Sequence, residues 1–126
     1  MISEADKRWL KEKAMPQLGI RALALDWSNN KRTFPDIWCY VFEKPPRIVV
    51  TQEWAKQNTR ERRKRLTHEI AGHLTFGWGH NAVMRKLGYT SEPSTDTMSW
   101  RIYKDIQKEG VRRPEEYLAQ RRRYAT

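Results

Sequence analysis

The sequence predicts a single α+β domain: a small three-stranded antiparallel sheet packed on one long helix, with further helices towards the C-terminus. Three observations carry that prediction. Short β-rich runs separated by turn residues fill positions 20–51. From Asn58 onwards the apolar period changes to that of a helix, with Leu66, Ile70 and Leu74 recurring every fourth residue. Neither an internal repeat nor a composition break divides the 126 residues, a length suited to one hydrophobic core.

The elements follow in order. Residues 3–15 predict a first helix, with Ser3 as its cap, Glu4 and Asp6 in the first turn, and Trp9, Leu10 and Ala14 on a partial apolar face. Pro16 and Gly19 should close it, so that an N-terminal helical unit spans 1–18. Strands are expected at 20–27 and 37–42, on either side of the turn-rich Ser28-Asn29-Asn30-Lys31-Arg32. Pro45-Pro46 breaks the chain before a β-branched strand, Arg47-Ile48-Val49-Val50-Thr51. Short connections between the three imply an antiparallel meander. The long helix runs from Asn58 or Thr59 to about His73, and Gly77-Trp78-Gly79 ends that segment. A short helix is expected at 81–87, a loop at 91–96, and a helix at 96–109 bearing Met98, Ile102 and Ile106 on one face. A last helix should begin at Pro114, a favourable first-turn residue. The units are thus 1–18, 19–90 and 91–126 of one domain.

Twenty-five Lys and Arg stand against fifteen acids, giving a net charge of +10. Such a balance favours a polyanionic partner through phosphate contacts and counterion release, and nucleic acid, DNA first, is the expected one. Charge says nothing of sequence specificity. A protein substrate or partner is the other expectation. Cys39 is the single cysteine, which excludes an intrachain disulfide and fits a reducing compartment. With apolar runs of only four or five residues, the sequence supports neither a secretory signal core nor a membrane span. A cytoplasmic protein, nucleoid-associated if DNA is the partner, is the expectation.

The most informative stretch is His68-Glu69-Ile70-Ala71-Gly72-His73-Leu74-Thr75-Phe76-Gly77-Trp78-Gly79-His80, which contains all three histidines. Three imidazoles and an adjacent carboxylate are the inventory of a catalytic zinc site: three neutral nitrogen ligands, an open position and a general base. The spacing is unusual. Zinc-hydrolase helices place two histidines four residues apart, which brings them to within about 40° of alignment. His68 and His73 are five apart, about 140° around an ideal α-helix, and Gly72 occupies the usual slot. Three readings stay open. A π-bulge helped by Gly72 can absorb the extra residue. Alternatively the helix ends at Gly72 and His73 swings back from an irregular turn. In the third reading His73 does not ligate and the site is broken.

With these residues the chain resembles the SprT-like family of zinc metallopeptidases, in which a small antiparallel sheet precedes a His-Glu-x-x-His helix and a glycine-containing loop brings a third histidine. Residues 46–51 resemble the strand before the metal helix, Leu66-Thr67-His68-Glu69-Ile70-Ala71 its start, and Gly79-His80-Asn81-Ala82-Val83-Met84 the third-ligand segment, followed by Arg85-Lys86-Leu87-Gly88. The resemblance covers roughly 35–90, and in register His68 and His80 match the first and third ligands while Gly72 falls on the second. It implies a minimal zincin-like domain in which His68, His73 and His80 hold Zn²⁺ and Glu69 is the general base. The implied activity is peptide-bond hydrolysis on DNA-associated proteins. The alternative is an inactive fold of the same type that binds nucleic acid or protein; a third possibility is a structural zinc in a small interaction protein. For an oxyanion partner, Tyr89 and Tyr103 are candidates, each better explained as core or surface.

Arg60, Arg62, Arg63, Lys64 and Arg65 precede the histidines and oppose the dipole at the helix start, which points to a use such as phosphate binding. Arg112, Arg113 and Arg121, Arg122 and Arg123 form a second basic patch. Runs of this kind are more often a solvated helix face. Trp27, Trp38, Trp54, Trp78 and Trp100 are candidates for base stacking; Trp38, within a strand, is better assigned to the core, and Trp78 beside His80 is the one best placed for substrate or DNA.

Overall fold

The computed structural model describes residues 2–29, 36–75, 92–113 and 116–117, and for 73–75 and 92–97 the backbone alone. The first helix, α1, begins as expected, with the Asp6 N–H donating to Ser3 Oγ at 3.1 Å. It continues past the predicted end as an α-helical turn Glu4–Arg8, a π-helical stretch Trp9–Ala14 and a further α-helical turn Met15–Leu18. Pro16 therefore sits inside the helix, where its ring should collide with the carbonyl four residues back. The wide turn removes that conflict, because here the Met15 N–H bonds to Leu10 O, five residues earlier. Gly19, at φ +71°, ends the helix in the left-handed conformation that glycine adopts without steric cost.

Strands β1 (Ala24–Trp27), β2 (Ile37–Tyr40) and β3 (Arg47–Val50) form one sheet of order β1-β3-β2. It is mixed, which corrects the expected antiparallel meander: β2 runs antiparallel to β3, whereas β1 pairs parallel with β3, from Ala24↔Arg47 to Trp27↔Val50. Burial explains the order. Ile48, Val49 and Val50 are at most 3% exposed, and such a continuous β-branched run belongs in a central strand. Exposed Asp26 and Trp38 belong to the two edge strands. Trp38 corrects a second expectation, being 46% exposed rather than in the core. Ile37 and Cys39 face the helices, so strict alternation sends Trp38 to the other face.

A short helix, α2 (Gln52–Ala55), was not legible in the sequence; it buries Trp54, whose indole N–H donates to Arg62 O at 3.1 Å. The long helix, α3, is α-helical over Thr59–Thr67 and π-helical over His68–Thr75. It starts at one of the two expected positions, Thr59, and Asn58 caps it, accepting from the Glu61 N–H at 2.9 Å. Helix α4 (Glu92–Gln107) starts inside the expected 91–96 loop, because Pro93 falls in the first turn, where its missing N–H needs no partner. Met98, Ile102 and Ile106 are buried on one face of α4 as the four-residue spacing requires. The left-handed residue after it is Glu109, at φ +57°, with Gly110 N–H bonding back to Asp105 O at 2.8 Å.

The core lies between one face of the sheet (Leu25, Trp27, Ile37, Cys39, Ile48, Val50) and helices α1, α3 and α4. Tyr117 closes it from the C-terminal side, donating from its hydroxyl to Asp105 at 2.7 Å and accepting from the Arg112 N–H at 3.0 Å. The helix expected at 81–87 and the start of the one expected at Pro114 lie outside the described residues. Among the described residues no helix is long and apolar enough to cross a membrane.

Candidate metal centre

Leu66, Ile70 and Ala71 are fully buried and fix the rotation of α3 against the sheet and α4. That rotation turns Glu69 towards β2, only 7% exposed, near Cys39. Burial raises the Cys39 thiol from 9.0 to about 12, and the Glu69 carboxylate adds to the rise, so the thiol stays protonated and is a poor nucleophile.

His68 is half-buried at the junction of the α and π segments, and its Nδ1 lies 3.1 Å from the hydroxyl of Ser99 on α4. An imidazole that donates its Nδ1–H to a hydroxyl presents an unprotonated Nε2, the state a metal ligand requires. Ser99 is 1% exposed, so the contact is sheltered from water. The sequence reading missed Ser99. Its one trace was a small polar residue three before Ile102, interrupting the apolar face of α4.

The backbone of His73 lies in the π-helical stretch that begins at His68. In such a stretch the hydrogen-bonded turn closes over five residues instead of four, so position 73 takes the relation to position 68 that a four-residue neighbour has in an α-helix. Gly72 lies in the middle of that stretch and is buried. His80 lies outside the described residues, as do Trp78, Tyr89, Arg121, Arg122 and Arg123. Among the described residues no group of three or more His, Cys, Asp or Glu comes together as a metal site would require; His68 and Glu69 are the members of the candidate set whose side chains are described.

The first basic run is engaged inside the molecule. Asp6, 1% exposed, accepts from Arg62 Nε at 2.8 Å and Arg63 Nε at 3.3 Å, tying α1 to α3. Arg62 also donates to Gln57 O and Thr59 Oγ1, and Arg63 lies over the Trp9 ring. Lys64 pairs with Glu61 at 3.2 Å, and Arg65 bonds to Gln57 Oε1 at 2.6 Å and pairs with Asp36. Arg60 is exposed, stacks over Trp100 at 4.8 Å, and makes no ion pair among the described residues. Of the other candidate aromatics, Tyr103 packs between Trp9 and Trp100, Trp54 is core, and Trp27 is partly buried against the core.

Compared with protein-family models, curated proteins and solved structures, the chain matches none.

Proposed function

We propose that the protein is a zinc-dependent peptidase of the SprT-like type, acting on proteins associated with DNA. The observation that carries this reading is the π-helical register of His68–Thr75, which compensates the five-residue spacing of His68 and His73. The buried Glu69 and the His68–Ser99 contact support it.

Zinc held by His68, His73 and His80 would supply a Lewis acid and acidify a water to a pKa of about 7. Glu69 takes the proton of the attacking water and returns it to the leaving amine. Ser99 holds the His68 ring in one orientation and tautomer. The net charge of +10 draws the protein to DNA through phosphate contacts, with Arg60 the best exposed of the described cations on α3.

Gly72 at the four-residue position favours a second reading, in which the same fold is inactive and serves as a nucleic-acid or protein module. Zinc content separates the two. The peptidase reading expects one zinc per chain after purification, lost in His68→Ala and His80→Ala. Glu69→Gln should keep the zinc and abolish cleavage of a DNA-bound protein. A metal-free chain that binds DNA with steep salt dependence would overturn it in favour of the module.

A further inference from the structure

A groove of about 350 Å³ runs between α1 and β1. Its floor is apolar, made by Leu10, Met15, Leu23, Leu25 and Pro45. Three cations line it, Lys7, Lys11 and Arg21, and no acid among the described residues does. Lys7 is partly neutralised by Glu4 at 3.3 Å, an exposed pair, whereas Lys11 and Arg21 have no ion pair among the described residues. An apolar floor under uncompensated positive charge is complementary to an anionic apolar ligand.

The adjoining strand says which kind. β1 stands at one edge of the sheet. On its β3 side the Ala24 N–H donates to Pro46 O and the Ser28 N–H to Val50 O, each at 2.9 Å. By alternation Leu23, Leu25 and Trp27 turn their backbone groups to the other edge, which no strand among the described residues occupies. A chain laid along that edge would gain main-chain hydrogen bonds while its alternate side chains drop onto Leu10, Met15 and Leu23. We propose that this groove binds an extended acidic segment of a partner protein by strand addition, with aliphatic residues in the floor and flanking carboxylates on Lys7, Lys11 and Arg21. The proposal is independent of the metal centre.

The test is fluorescence anisotropy with a labelled Glu-Glu-Leu-Val-Leu-Glu-Glu peptide, on the full chain. Lys11→Glu with Arg21→Glu should weaken binding at least about tenfold, because attraction becomes repulsion at the rim. Lys104→Glu with Lys108→Glu changes net charge equally but lies on exposed parts of α4 and the turn after it, and should have little effect. N-methylation of alternate peptide amides should abolish binding, since the edge bonds are lost. Equal losses in both double variants, equal binding of polyglutamate, or indifference to N-methylation would each overturn the proposal. Decanoate competing as well as the unlabelled peptide would overturn it in favour of a small amphiphile site. Circular dichroism of each variant confirms that the fold is kept.

Discussion

Replacing Asp6 by Ala removes the link between the N-terminal helix and α3. The carboxylate is 1% exposed and accepts from both Arg62 and Arg63, whose side chains are 19% and 18% exposed. Each charge-assisted bond contributes about 1.5–3 kcal/mol, and removing one partner of a buried pair typically costs about 3–5 kcal/mol. The two guanidiniums keep some water, Arg62 keeps Gln57 O at 2.6 Å, and Arg63 keeps the Trp9 ring at 5.5 Å, so the lower end applies. We expect a loss of about 3 kcal/mol, which for a domain of this size lowers Tm by about 10 °C. Asp6→Asn retains one acceptor and should fall between wild type and Asp6→Ala. Glu4→Gln, which breaks the exposed pair with Lys7, should cost under about 0.5 kcal/mol. Urea melts followed by circular dichroism give all three values, and the Asp6 effect should persist at high salt because the pair is sheltered. A loss under about 1 kcal/mol for Asp6→Ala would refute the reasoning, and would return Arg62 and Arg63 to the pool of cations free for phosphate.

Ser99→Ala should cost about 1 kcal/mol of stability and weaken zinc binding about 10–100-fold, read by chelator competition; unaltered affinity would show that Ser99 does not orient His68. Glu109→Gly relieves a left-handed residue at φ +57° and should raise stability by about 1 kcal/mol, measured by urea denaturation. Stability should also fall in alkali. Burial raises the Cys39 thiol from 9.0 to about 12 and, as the largest cause, raises the Tyr117 phenol as well, so the unfolded chain releases these protons first. Their contribution is full below the unfolded values and is lost as pH climbs from about 9 through 12, a slope that Cys39→Ala with Tyr117→Phe should flatten in alkaline melts.

Periodicity made the longer helices legible, though not the short α2. Leu66 with Ile70, and Met98 with Ile102 and Ile106, lie buried where the four-residue spacing places them, and Asn58 caps α3 as its residue type implies. Sheet topology was not legible, because local turn signals between β1 and β2 say nothing of a later strand entering between them. Strand alternation was available for Trp38 but was outweighed by the general preference of Trp for cores. The basic run shows a further gap: a count of charges cannot reveal that Asp6, more than fifty positions away, occupies two of them. In the candidate site, the pattern singled out His68 and Glu69 as candidates and posed the π-bulge as one option, and the π-helical backbone over His68–Thr75 corresponds to that option. Ser99 came only with the docking of α4.

The widened coil over His68–Thr75 behaves as a one-residue insertion that the helix has swallowed without unwinding. Excising Gly72 would let the segment relax to regular α geometry and would leave the run His-Glu-Ile-Ala-His, with the surplus residue gone and the flanking packing of Leu66 and Ile70 undisturbed. Two backbones of different length can thus set the second histidine position in the same helical relation to the first, and a single codon separates them.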